Sequence, residues 1–399
     1  MKGNNLKKIL SVSITGIFFI SLLTINSYSQ QPAHKYVSIE LANTLMEKYP
    51  DPCDYPYRNW CYPQGYVLMG FDKLWRSTGD QKYYDYIMKY AESQVTEKGD
   101  IPRFKGNSMD DMMAGAVIVW AYKQTGKEKF ILAADKIRQA YNNYPRTKDK
   151  MFWHGRTTVG EVWVDGCFMG QMFLAKYGKY VADADYCFNE AVQQLIGMHN
   201  HLKKGDTGLL LHAWDEDKDA SWADKNTGLS SEVWGEGLGW YALVIVETLE
   251  ILPENHAKRT ELISNLQELM KGLKNYQDQA TGLWYNIVDK GNLSDNWHDA
   301  SGSAMFTYAI KRSAELGFIP VKEYEPVVEK AYKGLRTKVR YTPAFGLVEI
   351  IDACDGVCVQ DNYNIYTNYE KKVNAKEAVA GMLWALTLME KPKTDDLKK

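Results

Sequence analysis

Trp75-Arg-Ser-Thr-Gly79-Asp-Gln-Lys-Tyr83 carries the clearest signal for the architecture, because it ends one helix and begins the next within a few residues. Tyr122-Lys-Gln-Thr-Gly126-Lys-Glu-Lys-Phe130 repeats this pattern 47 residues later. In both segments a glycine stands just past a helix, where the left-handed backbone is accessible to glycine and costly for other residues. Looser copies occur around Gly178 and Gly317. A two-helix repeat of about 45–60 residues predicts stacked helical hairpins.

Apolar residues recur every three to four positions along most of the chain, which is the period of an amphipathic helix. About twelve such helices can form an open solenoid or close into a toroid of six hairpins. Uneven repeats favour closure, as do long loops rich in Trp, Gly and Asp after alternate helices, which would converge on one mouth. The sequence therefore predicts an all-α (α/α)6 barrel with short β elements in rim loops, at 209–212 and 282–286. The predicted helices span residues 36–49, 64–77, 81–96, 109–125, 127–143, 163–177, 183–198, 232–251, 257–276, 299–316, 322–339 and 374–390.

The composition is that of a globular protein, with 45% hydrophobic and 25% charged residues in a chain of 399. The net charge of −2, from 48 basic and 50 acidic residues, argues against a nucleic-acid-binding protein, which usually carries a basic excess. Aromatic residues make up 13% of the chain: 12 Trp, 27 Tyr and 12 Phe. This content predicts either a core of large rings or a cleft lined by flat apolar faces, as in proteins that hold sugars.

The N-terminus has the pattern of a targeting segment. Lys2, Lys7 and Lys8 precede an apolar run over residues 9–25, and small residues follow at Ser27 and Ser29. This pattern predicts a signal peptide over residues 1–30 and an exported protein, periplasmic or secreted, with one domain over residues 31–399. A retained membrane anchor is the alternative. Without residues 1–30 the net charge is −5, so an anionic ligand would have to be held by local donors.

The six cysteines are compatible with disulfides in an exported protein. Cys53 with Cys61, and Cys354 with Cys358, are close enough in sequence for short-loop disulfides, while Cys167 and Cys187 fall in apolar helices. No Cys-x-x-Cys or His-Glu-x-x-His spacing occurs, so no metal site is predicted.

Two acidic positions at helix starts are candidates for catalysis. Asp110 and Asp111 both open a predicted helix, and since one acid suffices as a cap, the other is available for chemistry. Asp165 enters an otherwise apolar helix directly after Trp163. A cap is the simpler interpretation, but desolvation there would raise the pKa of Asp165 and suit it to general acid catalysis.

Two further segments combine aromatic, small and polar residues. Residues 212–240 contain four Trp and several Gly, which is more apolar area than a connecting loop needs. Either the loop folds over its own Trp cluster, or it contacts a partner or ligand. Residues 299–306 open a helix with Ser301 and Ser303, which would leave backbone N–H groups open to a carboxylate. Alternatively, either serine caps the helix or allows close packing.

These segments together resemble a known family. The ordered set resembles glycoside hydrolase families 105 and 88, the unsaturated rhamnogalacturonyl and glucuronyl hydrolases, over roughly residues 40–390. Its pieces are Met151-Phe-Trp-His154, Trp163-Val-Asp165-Gly, His212-Ala-Trp-Asp-Glu216, Trp222-Ala-Asp224, Thr227-Gly-Leu-Ser230, Trp234-Gly-Glu-Gly-Leu-Gly-Trp240 and Ala300-Ser-Gly-Ser-Ala-Met-Phe306.

The resemblance implies an (α/α)6 barrel and a specific reaction. The substrate would be an oligosaccharide whose non-reducing end is a 4,5-unsaturated uronic acid left by a polysaccharide lyase. An Asp protonates C4, water adds at C5, and the hemiketal collapses to release the aglycone. Asp165 resembles the proton donor and water-activating base, and Asp110 the second acid. The residues expected to bind substrate are His154, Trp163, His212, Trp222, Trp234, Glu236, Trp240, Ser301 and Ser303.

The resemblance implies no metal or organic cofactor, and the expected partner is an oligosaccharide rather than nucleic acid or membrane, bound by a monomer or weak homodimer. The chain departs from the family pattern at Glu236, where an arginine is expected, and over residues 352–369. Arg103 or Arg156 could supply the missing cation. Two alternatives remain: an inverting glycosidase that pairs Glu236 with Asp165 or Asp110, and a non-catalytic carbohydrate-binding protein.

Overall fold

A computed structural model describes residues 36–58, 60–342 and 347–393, all of which belong to one compact unit, Lys35–Lys399. The predicted signal peptide lies outside the described residues. Within them, no helix combines the length and the apolar character needed to cross a membrane.

Helices dominate the structure, as the apolar period predicts. A 3-10 turn at Pro52–Asp54 precedes the second helix, and two short antiparallel strand pairs decorate the loops. The strands are β1 (Glu161–Trp163) with β2 (Ala213–Asp215), and β3 (Val339–Tyr341) with β4 (Val348–Ile350). The helices are α1 (Val37–Lys48), α2 (Tyr62–Thr78), α3 (Gln81–Gln94), α4 (Asp110–Met113), α5 (Gly115–Thr125), α6 (Glu128–Ala140), α7 (Val164–Tyr180), α8 (Ala184–Leu202), α9 (Gly235–Ile251), α10 (Arg259–Asn275), α11 (Ala300–Glu315), α12 (Val321–Arg336), α13 (Tyr363–Asn368) and α14 (Lys376–Glu390).

The hairpins close into a ring, which confirms the (α/α)6 barrel. Helices α2, α4 with α5, α7, α9, α11 and α14 pack side by side, and α14 returns to α2. Helices α3, α6, α8, α10, α12 and α1 pack outside them, one against each inner helix. Inner helices have neighbours on all sides, so most of their residues are buried; in α9 every residue from Gly235 to Leu249 is buried.

The ring is closed by contacts between the two ends of the described chain. Glu390, at the end of α14, accepts hydrogen bonds from the backbone N–H of Val37 at 3.0 Å and of Ser38 at 2.9 Å. The Ser38 hydroxyl donates to the same carboxylate at 2.6 Å. One side chain of α14 therefore satisfies the free N–H groups at the start of α1.

The glycines that predict the hairpins behave as expected with one exception. Gly79 and Gly126 have φ of 68° and 66°, and each donates its N–H to a carbonyl four residues earlier at 2.7 Å. Gly317 also has a positive φ, at 77°. Gly178 instead lies inside α7, where a Cβ would approach Cys187 Cβ within 2.7 Å. Its role is close helix packing rather than a cap.

Other local predictions are corrected by the structure. The predicted helix over 109–125 is broken at Ala114 into α4 and α5, and α13 was not predicted. The strands expected at 209–212 and 282–286 are wrong, since each segment makes only isolated bridges, at Leu210 and Tyr285. Residues 209–211 are instead a buried apolar run. All six cysteines are free thiols, so neither short-loop disulfide is formed.

Candidate active site

A cavity of about 270 Å³ lies where the inner helices begin. The inner helices run in the same direction, so their N-termini converge at one end of the barrel, and most of the polar lining comes from first helical turns. Asp110 opens α4, and Asp165 and Glu236 are the second residues of α7 and α9. The cavity is lined by Tyr62, Asp110, His154, Trp163, Asp165, Met169, Trp234, Glu236, Trp240, Gly356, Val357 and Cys358.

Of the two acids predicted to be catalytic, Asp165 has the less exposed side chain, at 14% against 35% for Asp110. Its Oδ1 lies 3.4 Å from His212 Nε2, and its Oδ2 lies 3.9 Å from His154 Nδ1. Burial raises the pKa of this carboxyl, but His154 and His212 lower it more, and the net pKa is below the ordinary value. The expectation of a raised pKa at Asp165 is therefore wrong in sign for the ligand-free protein.

Asp110 has the opposite electrostatic character. Burial raises its pKa to about 6, against the opposing effect of His154, whose Nε2 lies 3.8 Å from Asp110 Oδ2. Its neighbour Asp111 accepts a hydrogen bond from the backbone N–H of Asn107 at 2.8 Å, in the turn that precedes α4, so neither acid caps this helix. The carboxyl of Asp110 is left without a hydrogen bond to any described residue, as expected if one of the two acids is available for chemistry.

Two histidines hold the acids in place. His154 lies between Asp165 and Asp110 and presents one ring nitrogen to each. His212 is fully buried, with Nδ1 2.6 Å from the hydroxyl of Tyr366, and that hydroxyl also accepts from the backbone N–H of Gln360 at 3.1 Å. Because an ionised Asp165 can only accept, the His212 proton is assigned to Nε2, facing Asp165, and Nδ1 then accepts from the Tyr366 hydroxyl. Burial lowers the pKa of His212, in keeping with a neutral ring.

Unpartnered polar atoms mark the same place. Asp165 Oδ1, His154 Nδ1 and His212 Nε2 are buried and lack a well-aligned hydrogen bond to any described residue. Such atoms are uncommon in folded proteins unless a ligand, water or reacting group completes them. Their convergence on Asp165 indicates a binding position for a polar substrate.

The tryptophans predicted to hold substrate fall into three groups. Trp163 and Trp234 line the cavity, and Trp234 packs beside His212 with ring centroids 4.5 Å apart. Trp240 also reaches the lining but is packed into the core against Tyr66 and Phe168, with centroids 4.7 Å away in each case. Trp222 packs in a small cluster with Trp163 and lies outside the lining.

The serines at the start of α11 are placed for structure rather than for an open anion site. Asp299 caps the helix, accepting from the N–H groups of Ser301 at 3.2 Å and Gly302 at 2.7 Å. This helix start is therefore not open to a substrate carboxylate, contrary to expectation. Ser303 is buried and pairs with the backbone of Trp284, and Ser301 is buried between Glu236 and Asp299.

Neither arginine suggested as a replacement cation reaches the cavity. Arg156 donates to the backbone carbonyls of Gly106 and Asn143, and Arg103 is exposed on the surface. Among the described residues, the lining contains three carboxyl groups and neither lysine nor arginine. The carboxyl groups of this lining therefore have no lysine or arginine partner within it.

Sequence reasoning missed Tyr366 and the cavity wall at 356–358. Tyr366 lies on α13, a six-residue helix too short for a periodic signal. The wall segment belongs to the stretch that departs from the family pattern. That departure was the available signal, since an unusual loop rich in Tyr and Asn often carries a site.

A second cavity, about 320 Å³, lies at the other ends of the same inner helices. Most of its charged side chains are paired, with Lys73 Nζ 2.8 Å from Glu247 and Arg312 2.5 Å from Glu250. Helix C-termini carry partial negative charge, which these cations offset. Although it is larger, this cavity lacks the unpartnered acids and histidines of the first, so we assign the chemistry to the first.

Comparisons with known proteins identify the family of this chain. The sequence profile of Glycosyl Hydrolase Family 88 matches residues 37–393. A glycoside hydrolase of family 105 from C. acetobutylicum has a similar structure, with a TM-score of 0.83 and 32% identity over 88% of this chain and 99% of that one. The unsaturated glucuronyl hydrolase of Bacillus sp. GL1 shares the fold, with a TM-score of 0.66 and 14% identity over 88% and 94% of the two chains.

A curated relative, the unsaturated 3S-rhamnoglycuronyl hydrolase of Formosa agariphila, is 24% identical over 43% of this chain and 45% of its own length. The family profile spans nearly all of the described residues and includes the helices that carry Asp110 and Asp165. The chain therefore belongs to glycosyl hydrolase family 88, is similar in structure to a family 105 enzyme, and is a glycosidase.

Proposed function

We propose that this glycosidase removes a 4,5-unsaturated uronic acid, glucuronyl or galacturonyl, from the non-reducing end of oligosaccharides made by a polysaccharide lyase. The main support for this proposal is the pair Asp110 and Asp165, which lie on either side of His154 in a cavity with aromatic walls. The pKa of Asp110 is raised and that of Asp165 is lowered. The names of the Bacillus and Formosa relatives support this substrate class.

The reaction needs one proton and one base at the same double bond. Protonation of C4 in the enol ether leaves positive charge at C5, shared with the ring oxygen, and water then adds at C5. The hemiketal collapses and the aglycone leaves with a proton, so one water is consumed and the enzyme's proton is returned. A carboxyl that gives a proton and then takes one from water can perform both steps.

We assign these steps to Asp165 and the initial store of the proton to Asp110. In the ligand-free protein, Asp110 holds a proton up to about pH 6 while Asp165 is ionised. The carboxylate of an arriving uronate is a like charge and raises the pKa of Asp165. His154, with its ring nitrogens 3.8 and 3.9 Å from the two acids, is placed to pass the proton between them.

Export to the periplasm or the medium remains part of this proposal and rests on the sequence of residues 1–30. We also propose a monomer or weak homodimer as the functional form. An enzyme that consumes lyase products would act where those oligosaccharides arrive. Fractionation of the producing cells, with immunodetection of the chain, tests the location.

The test of the activity is loss of ultraviolet absorbance from the conjugated double bond on a panel of lyase products from pectin, arabinogalactan, glycosaminoglycan and ulvan. We expect at least one unsaturated uronyl substrate to be consumed, and Asp165→Asn to abolish the reaction. Asp111→Asn, one residue from Asp110, is the matched control and should keep activity, since an amide oxygen can still accept the hydrogen bond from the Asn107 N–H. If the absorbance does not fall with any glucuronyl or galacturonyl substrate, the proposed activity is wrong.

An inverting glycosidase is the second candidate, because Glu236 lies in the same cavity with a raised pKa while Asp165 is ionised, and such a pair could act as acid and base. An oligosaccharide with a saturated uronic acid at the non-reducing end separates the two. Hydration requires the C4=C5 bond and leaves this oligosaccharide intact, whereas an inverting glycosidase hydrolyses its glycosidic bond.

A further inference from the structure

The cavity presents a charge problem for an anionic substrate. Its described lining contains the carboxyl groups of Asp110, Asp165 and Glu236 and no lysine or arginine. If all three were ionised, they would repel a uronate strongly in a site with little water. The protonation state of Glu236 therefore bears directly on what the site can bind.

The hydrogen-bond geometry around Ser301 shows where a carboxyl proton is needed. The Ser301 hydroxyl lies 2.8 Å from Glu236 Oε2 and 2.7 Å from Asp299 Oδ2, both within hydrogen-bond distance. A serine hydroxyl carries one proton and can donate it to only one of these oxygens. The other short contact requires a proton on a carboxyl group.

Asp299 is the partner that keeps its charge. Besides Ser301 Oγ, it accepts from the backbone N–H groups of Ser301 at 3.2 Å, Cys354 at 2.8 Å and Gly302 at 2.7 Å. Three N–H donors suit a carboxylate, which only accepts. Glu236 has no backbone donor of this kind, so the Ser301 proton goes to Asp299 and the carboxyl proton lies on Glu236.

We propose that Glu236 is a neutral carboxylic acid in the working protein, with its proton on Oε2 toward Ser301, and that its Oε1 accepts a hydrogen bond from a hydroxyl group of the bound sugar. Oε1 makes no hydrogen bond to a described residue, and Glu236 belongs to the cavity lining. Glu236 thereby determines specificity for a sugar hydroxyl and adds no charge against the uronate.

The surroundings of Glu236 agree with a neutral form. Burial raises its pKa well above the ordinary value; Glu377 and Asp299 raise it further, while Ser301 and Lys376 oppose. Lys376 is already engaged by Asp355 and Glu377. The titratable groups facing Glu236 from α14, the α11 cap, α2 and the loop after β4 are Glu377, Lys376, Asp299, Tyr62, Tyr66 and Cys354.

Infrared difference spectroscopy tests the protonation state without any substrate. At about pH 7, wild type minus Glu236→Gln should show the carbonyl stretch of a protonated carboxyl group. Glu232→Gln is the matched control, because Glu232 is also buried but pairs with Lys290 at 2.6 Å and should be ionised. Identical carboxyl bands in wild type and Glu236→Gln would overturn the proposal.

A second measurement does not depend on that variant. In wild-type protein labelled with ¹³C at the glutamate carboxyl carbon, at least one glutamate should keep the protonated chemical shift at about pH 7. A spectrum in which every glutamate has the ionised shift would contradict a neutral Glu236.

The substrate half of the proposal rests on the proposed function and has its own test. Glu236→Met removes the acceptor at similar length, and its KM for the unsaturated oligosaccharide should exceed that of Glu236→Gln by about three- to tenfold. Equal KM values would exclude Oε1 as an acceptor. If no unsaturated uronate is cleaved while the carboxyl band is present, the proposed function fails and the neutral Glu236 stands.

Discussion

The imidazole of His154 lies flat against the indole of Trp163, with ring centroids 4.2 Å apart and planes within 12° of parallel. The indole is itself fixed, because Trp163 Nε1 donates to Glu161 Oε2 at 2.7 Å. This stacking sets the ring plane of His154 and keeps its two nitrogens directed at Asp110 and Asp165. The proton store and the reacting acid are thus connected by a ring that cannot turn freely.

Trp163→Leu should lower kcat by about tenfold or more, because His154 loses the face that orients it and small misplacements of catalytic groups are costly. Trp163→Phe keeps a flat ring and should recover part of the loss. The kcat and KM of both variants check this, with Trp222→Leu as control, since Trp222 belongs to the same cluster but lies outside the cavity lining. Equal kcat losses for Trp163→Leu and Trp222→Leu would mean that the stacking is only structural.

The pH dependence of kcat/KM should fall as pH rises through about 6. This parameter reports the free enzyme, in which Asp110 has a pKa of about 6 and must hold the proton that Asp165 later delivers. Above that pH both acids are ionised and no proton is available. An unsaturated disaccharide assayed across the range checks this, and Asp111→Asn, which removes a charge that raises the Asp110 pKa, should move the fall to lower pH. A kcat/KM that rises through pH 6 would refute the assignment of the proton to Asp110.

Stability should respond to the same carboxyl in the opposite way from a salt-bridged acid. Burial raises the folded-state pKa of Asp110, so the folded protein binds a proton that the unfolded chain has lost, and stability falls as pH rises from about 4 to 6. Asp110→Asn removes this cost and should raise Tm at about pH 7, with little difference near pH 4. Thermal unfolding at both pH values measures it, and an unchanged Tm at both would contradict the raised pKa.

The ring closure between Glu390 and Ser38 should be worth a measurable part of the folding free energy. Glu390→Ala leaves the N–H groups of Val37 and Ser38 without their partner, and we expect the free energy of unfolding to fall by about 1–3 kcal/mol. Urea unfolding checks this against Glu329→Ala, an exposed glutamate of α12 whose loss should be within about 0.5 kcal/mol of neutral. Equal stability of the two variants would show that α1 is held by apolar packing alone.

The parts of the site that the sequence predicts are those governed by local rules. Glycine caps reveal the hairpins, and acids at helix starts reveal Asp110 and Asp165, because both signals depend on neighbouring residues. The sign of the pKa shift at Asp165 depends on His154 and His212, which reach it from other loops. The roles of Ser301 and Ser303 likewise depend on partners from other segments, Glu236 and Trp284. Such contacts leave no periodic trace in one sequence.

Tyr366→Phe should separate the role of His212 from simple packing. The Tyr366 hydroxyl donates to His212 Nδ1 and so keeps the other nitrogen protonated toward Asp165. Without that hydroxyl the neutral ring can adopt the other tautomer, which removes a donor from Asp165 and raises its pKa. We expect kcat to fall by about tenfold while KM changes little, and the decline of kcat with rising pH to move to higher pH, because Asp165 keeps its proton longer.

Tyr363→Phe is the control, since it lies on the same short helix and its hydroxyl donates to Asp295 at 2.8 Å, outside the cavity. A merely structural role for Tyr366 would lower stability in both variants but leave the pH profile in place. The profile is therefore the decisive readout. If the decline of kcat with rising pH in Tyr366→Phe coincides with that of wild type, His212 does not control the proton affinity of Asp165, and the low pKa of that acid comes from His154.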